Sequence, residues 1–340
     1  MIFVVRGVAW LVTGGAGYIG AHVVRALMGA DLRVVVLDDL SAGRPARLPP
    51  GVPLIRADVR DRVTVRDTLV RYHVSGVIHL AALKNVAGSF DDPLGYHRGN
   101  LDTLADLLEV MVDQRTPHLV FSSTAAVYGT GDSYAEDAPT RPGSPYGRTK
   151  LAGEWLIRDV GAAAGLRHAI LRFFNVAGAG APELADTGGD NLLPRLLRAT
   201  AEGGKATVHG TGHPTPDGSC VRDYVHPADI ADAHVATVRA LLDGDLAADT
   251  FNVSRGVGVS VLDLISAVER ATGHPLPYEV GEPRAGDPPS AVADPARIRD
   301  RLGWRARRTL DDIVGSAWAA TAAGLRIARQ RRPHDVATTL

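Results

Sequence analysis

The sequence predicts an α/β protein: a doubly wound parallel sheet with a smaller α/β lobe interleaved toward its C-terminus. Three observations predict it. Short runs rich in Val, Ile and Leu alternate with helical patterns roughly 10–15 residues long, the signature of a parallel sheet covered on both faces. A glycine-rich turn, Thr13 to Gly20, lies between the first such run and the first helical pattern. After Asn175 the rhythm breaks into Gly- and Pro-rich loops with short elements between them.

Val8 to Val12 is the first strand, and Ile19 to Met28 has the apolar spacing of a helix. Leu32 to Leu37 reads as a buried strand ending on Asp38, and Val52 to Asp58 as a third strand. Val63 to Tyr72 is helical and Gly76 to Leu80 is a fourth strand. A helix over about Leu101 to Val112 leads into a fifth strand, His118 to Ser123. A helix from Tyr146 to Ala164 precedes a sixth, Arg167 to Arg172. Beyond Asn175, the stretches Gly178 to Gly189, His209 to Gly218 and Glu282 to Pro289 are loops, and Asp223 to Arg239 reads as a helix returning to the sheet. The expected division is a sheet domain over residues 8–175, rejoined by 223–254. A second lobe spans 176–222 and 255–325, and a disordered basic tail spans 326–340.

The 340 residues include 37 Lys and Arg against 38 Asp and Glu, so no one-signed field is available for nucleic acid or a membrane surface. The single cysteine, Cys220, excludes an intrachain disulfide and a thiolate metal cluster, fits a reducing cytoplasm, and reads as a small packing residue. No run approaches the roughly 18 apolar residues of a membrane span, and the first seven residues lack a signal peptide's apolar core. His209, His213 and His226 lack the spacing that sets two imidazoles on one helix face, so no metal site is expected.

Gly14, Gly17 and Gly20 allow a tight turn, close approach of a diphosphate, and close packing of helix on strand; the helix N-terminus then meets the negative charge. Asp38, eighteen residues after Gly20, is placed to accept hydrogen bonds from an adenosine ribose. Its charge repels a 2′-phosphate, so the expected cofactor is NAD rather than NADP. Asp58 and Val59 follow the third strand and Leu80, Ala81 and Ala82 the fourth, at the strand ends where open α/β sheets bind ligands. Tyr146 and Lys150, four residues apart, share one helix face. A free phenol titrates near ~10 and is a poor base, but a neighbouring ammonium and an oxidised nicotinamide stabilise its anion. Thr124, at the end of the fifth strand, offers a hydroxyl between substrate and phenol. The chemistry implied is redox at a hydroxyl-bearing carbon.

These stretches, together with Lys84, Ser122 to Gly129 and Leu171 to Asn175, resemble the extended short-chain dehydrogenase/reductase family. Asn191 to Pro194, Asp217 to Tyr224 and Arg284 to Asp287 narrow the resemblance to its UDP-glucose 4-epimerase branch, over residues 8–325. The resemblance implies a Rossmann-type NAD domain and inversion at C4 of a UDP-hexose through a transient 4-keto sugar. Tyr146 is then the acid/base, Lys150 lowers its pKa and holds the nicotinamide ribose, and Thr124 orients the substrate. Tyr18, Ile19, Asp39, Leu40, Ser41, Lys84, Asn100, Ser122 and Phe174 join the cofactor site by the same resemblance. Lys84, Thr124, Asn175, Asn191, Leu192, His209, Arg222, Arg284 and Asp287 are implied to hold the UDP-sugar; the two arginines can clamp a diphosphate bidentately. A homodimer is implied through a four-helix contact of residues 101–114 and 147–164.

Two departures bear on the substrate. His209 stands where relatives commonly place an aromatic ring near the uracil. Ala291 stands where some carry a tyrosine beside the sugar, which leaves room for an N-acetyl group. Ala125 and Ala126 follow Thr124 where nucleotide-sugar dehydratases need Asp-Glu, so that second acid–base pair is missing. A 4-epimerase of another nucleotide sugar and a 4-keto reductase remain as alternatives. A non-enzymatic dinucleotide sensor has little use for Tyr146, Lys150 and both arginines.

Overall fold

Six of the strands read from the sequence, β1 (Ala9–Thr13), β2 (Arg33–Asp38), β3 (Leu54–Arg56), β4 (Val74–His79), β5 (His118–Thr124) and β6 (Arg167–Phe173), lie in one parallel sheet. Their order is 3-2-1-4-5-6, and a seventh strand, Ala248–Val253, pairs in parallel beside β6. The computed structural model describes residues 9–131, 134–188, 191–284 and 287–330, with side chains through 321. The N-terminal seven residues, Ala285, Gly286 and residues 331–340 lie outside it.

Successive side chains of a strand face opposite ways, and here both faces are buried. Trp10, Val12, Val36, Ile78 and Val120 enter one core, and Leu11, Val35, Leu37, Val77 and Leu119 enter the other. Each such Val, Leu or Ile contributes roughly 1.5–3 kcal/mol over leaving it exposed. The first core is closed by α1 (Tyr18–Gly29), through Val23, Val24 and Leu27, and by the helix Pro227–Asp243. The second is closed by α2 (Arg62–Arg71), then, after the one-turn helices α3 (Gly88–Asp91) and α4 (Pro93–His97), by α5 (Thr103–Asp113) and α6 (Pro145–Ala164). The strand order reverses between β1 and β4, and the crevice that opens there is where such sheets bind ligands.

The lobe has its own sheet. β7 (Asn175–Val176) pairs with β9 (Val221–Val225), and β11 (Gly258–Ser260) and β13 (Ser290–Ala291) pair with β9 as well. β8 (Ala206–His209) pairs with β12 (Tyr278–Gly281). Around them lie α7 (Leu192–Glu202), α9 (Val261–Thr272), α10 (Ala296–Leu302) and α11 (Leu310–Gln330), leaving Pro227–Asp243 as α8 and Ala248–Val253 as β10. A capping box of Ser260 and Asp263 starts α9.

Two expectations change here. The helix expected from Asp223 begins at Pro227: Val221–Val225 is a strand, favoured by its β-branched and aromatic residues, and Pro227 is pre-set for the first helical position. The chain therefore returns to the large sheet from residue 227 rather than 223. α11 runs to Gln330, so the expected lobe boundary at residue 325 falls inside a helix.

Candidate active site

The chain leaves β1 through Gly14, whose φ of +69° and close neighbours exclude a side chain: a Cβ there would stand 2.8 Å from the Ala81 nitrogen. A Cβ on Gly20 would stand 2.2 Å from the Gly14 carbonyl oxygen, so α1 sits directly on the turn. Gly17 is the N-cap of α1 and provides no capping side chain, which leaves the first N–H groups of the helix open to an anion.

Asp38 ties this turn to the end of β2. Its Oδ2 accepts the Ala16 N–H at 2.9 Å and its Oδ1 the Leu40 N–H at 2.9 Å. Burial pushes its carboxyl above the usual range, and those two N–H bonds pull it back. The second lone pairs of both oxygens stay available to ribose hydroxyls.

A cavity of about 720 Å³ opens over the turn, within the size range of cofactor sites. Gly14, Gly17, Tyr18, Ile19 and Gly20 line it below; Asp38, Asp39, Ser41, Asp58 and Val59 line its β2–β3 side. Leu80, Ala81, Ala82, Lys84, Ser122, Tyr146 and Lys150 line its β4–β5 side. This set fits a dinucleotide: a side-chain-free cradle for a diphosphate, a carboxylate for a ribose, and a polar far wall.

Ser144 caps α6 by accepting the Gly147 N–H at 3.1 Å, and Pro145 occupies its first turn, so Tyr146 sits where the helix meets the end of β5. The Tyr146 phenol, 9% exposed as a residue, is pushed up to about 12 by burial; a hydrogen bond with Thr124 opposes that shift. Lys150, one turn along α6, is buried in the same wall. Its Nζ donates to the Ser122 carbonyl at 2.9 Å and lies 4.8 Å from the centre of the Phe121 ring. Burial brings Lys150 down to about 8, against the charge of Glu154 one turn along. Glu154 is fully buried: Ser123 Oγ donates to it at 2.6 Å, and Arg172 binds it with Nε at 2.9 Å and Nη2 at 2.6 Å. This ion pair fixes the end of β5 beneath Thr124.

Several residues expected at the site lie beside the cavity instead. Phe174 packs against Tyr128 and Tyr134, while Phe173 faces the cavity; neighbouring residues of an extended chain point opposite ways. The Asn100 side chain is spent on the Leu83 backbone, accepting its N–H at 2.8 Å and donating to its carbonyl at 3.0 Å, and on Thr149 Oγ1 at 3.1 Å. It therefore fixes the loop after β4 rather than facing the cavity. Leu40 contributes its N–H to Asp38, and the half-buried Thr124 hydrogen-bonds with Tyr146.

The expected substrate residues other than Lys84 and Thr124 belong to the lobe. Asn175 stands exposed on β7, and Ala291 pairs in register with Arg222 on β9. Arg222 donates to the Pro288 carbonyl at 2.8 Å and lies 3.5 Å from Asp287. Asn191, just before Leu192 at the start of α7, donates to Asp186 at 2.6 Å; His209 Nδ1 meets the Glu282 carbonyl at 3.2 Å, and Arg284 is exposed. Arg47, Arg98, Asp186, Thr187 and Gly188 line the cavity without having been expected there. Only their fold neighbours reveal them. Among the described residues no group of three His, Cys, Asp or Glu side chains could hold a metal ion.

The chain is similar to known proteins over most of its length. It is 42% identical over 314 residues to a UDP-glucose 4-epimerase of Azospirillum brasilense, covering 90% of each chain. A UDP-glucose 4-epimerase structure from Stenotrophomonas maltophila, with bound NAD and formylated UDP-arabinopyranose, superposes with a TM-score of 0.90 at 37% identity, over 94% of this chain and 99% of that one. The UDP-Glc/GlcNAc 4-epimerase of Campylobacter jejuni superposes with a TM-score of 0.82 at 32% identity, over 93% and 100%. The model of the NAD dependent epimerase/dehydratase family matches residues 10–254, from the first strand of the large sheet to its last. A glycine cradle, a buried Tyr–Lys pair and a sheet shared at this level of identity have one reading: the chain belongs to the NAD dependent epimerase/dehydratase family.

Proposed function

We propose that the protein is an NAD-dependent isomerase that inverts C4 of a UDP-hexose, interconverting UDP-glucose and UDP-galactose. The observation that carries the reading is Tyr146 and Lys150 buried in the wall of a dinucleotide-sized cavity, in a chain 42% identical to a UDP-glucose 4-epimerase. NAD, when bound, would supply the acceptor for the C4 hydride and then its donor to the opposite face, with a positive charge that favours the phenolate. Gly14, Gly17 and Gly20 would hold its diphosphate and Asp38 its adenosine ribose. Tyr146 takes the proton of the sugar 4-hydroxyl and returns it. Thr124 holds the phenol in place and stabilises its anion by hydrogen bonding. Lys150, kept on the Ser122 carbonyl, places its charge on the same wall. Asn175, Asn191, Arg222 and Arg284 are proposed to hold the nucleotide from the lobe, leaving the sugar free to turn.

Ala291, in register with Arg222, is proposed to admit N-acetylated sugars. Chromatography after incubation with UDP-glucose, UDP-galactose, UDP-GlcNAc and UDP-GalNAc tests both statements. Interconversion of the first pair is expected, and Ala291→Tyr is expected to lower the N-acetyl activity relative to it. Absence of any C4 epimer rejects the function; an unchanged ratio rejects the role of Ala291.

A homodimer through α5 and α6 is proposed as well, with Trp155, 56% exposed on α6, at its centre. A nucleotide substrate and a lone buried Cys220 support a cytoplasmic location, and no described helix is long and apolar enough to cross a membrane.

A further inference from the structure

Tyr18, His22 and Arg25 recur at i, i+4 and i+7 along α1 and so share one face of it. All three hold a single segment, residues 178–188. The Tyr18 hydroxyl donates to the Gly178 carbonyl at 2.6 Å. His22 Nε2 accepts the Gly180 N–H at 2.9 Å, its Nδ1–H being given to the Tyr18 carbonyl at 2.8 Å. Arg25 meets Glu183 at 3.0 Å.

Arg47, in the loop after β2, completes the row. Its Nη2 donates to the Ala185 carbonyl at 2.9 Å and to Thr187 Oγ1 at 3.2 Å, and its own carbonyl accepts from Arg25 at 3.2 Å. The segment then enters the cavity wall at Asp186, Thr187 and Gly188, and Arg47 lines the same wall. Arg47 is only 4% exposed, and its guanidinium is committed to the strap. The Asp186 carboxylate, held by Asn191, acts on Arg47 and places a negative charge on the wall of a site for an anionic cofactor.

We infer that residues 178–188 are a strap across the bound dinucleotide and that Arg47 is a cofactor-retaining residue. It ties down the strap through Ala185 and Thr187 and offsets the charge of Asp186. The inference rests on the reading of the cavity as an NAD site.

Release of NAD from purified holoenzyme, followed by ultrafiltration over time, tests it. Arg47→Met is expected to release NAD roughly tenfold faster, the scale of one hydrogen bond involving a charged group. Turnover lost after gel filtration should return with excess NAD, and Arg47→Lys should release at an intermediate rate. Thr187→Val removes one strap bond at an exposed residue and should speed release to a smaller extent. A folded Arg47→Met protein that releases NAD at the wild-type rate overturns the inference. If Arg47→Met does not fold, wild-type release from Thr187→Val overturns it instead. A wild-type protein that binds no NAD at all rejects the function and not the strap alone.

Discussion

Tyr146 and Lys150 are both buried, and burial moves each toward its neutral form: the phenol up to about 12 and the ammonium down to about 8. Each is therefore close to losing its charge or its acidity, and each depends on one neighbour. Thr124 stabilises the phenolate, and Glu154 stabilises the ammonium. Tyr146→Phe removes the acid–base group without changing the packing volume much, and turnover should fall by at least ~100-fold with the fold intact. Steady-state rates on UDP-galactose measure it, and a loss under tenfold reassigns the base. The Tyr–Lys spacing was legible in the sequence because a helix fixes it. The direction of each pKa shift was not, because it depends on how deeply α6 and β5 bury the pair.

The junction of β1 and α1 is an element-scale device, since both neighbours touch it at backbone distance. Gly20→Ala would place a methyl 2.2 Å from the Gly14 oxygen, and no side-chain rotation relieves a clash with backbone. α1 must then lift off the turn. The variant should lose at least tenfold in NAD affinity by fluorescence titration, together with several degrees in Tm, the scale of an overpacking clash of roughly 1–3 kcal/mol. The strands of the large sheet, the glycine turn and Asp38 could all be read from the sequence because each is a local pattern of residue types. The position of β9 could not, because Val221–Val225 is decided by its pairing with β7, β11 and β13. Phe173 and Phe174 exchanged roles because the parity of a strand is set by its register. Arg47 and the strap lie 138 residues apart in the chain and share no motif.

At the scale of the molecule, six of the described histidines are buried and shifted toward the neutral form, four of them far below the usual imidazole range. His22, His226 and His234 are held down to about 4, and His79 to about 3, in each case mainly by burial. Between those values and the unfolded value near ~6.5, the unfolded chain binds the extra protons, so stability is present above ~6.5 and drains away as pH falls. By that linkage each of these four histidines costs the fold on the order of 3 kcal/mol on going from pH 7 to pH 4. Tm measured from pH 7 to pH 4 should fall steeply below ~6, and a flat profile rejects the assignment. Trp155→Glu on α6 should convert the proposed dimer to monomer in sedimentation velocity, leaving Tm of the isolated subunit similar; an unaltered mass places the contact elsewhere. The large sheet also constrains biosynthesis. β10 closes the edge of β6 yet begins at residue 248, about 75 residues after β6 ends. At ribosomal speeds of roughly 5–20 residues per second, the nascent chain carries that unpaired edge for ~4–15 s, a window in which chaperone shielding of β6 would matter most.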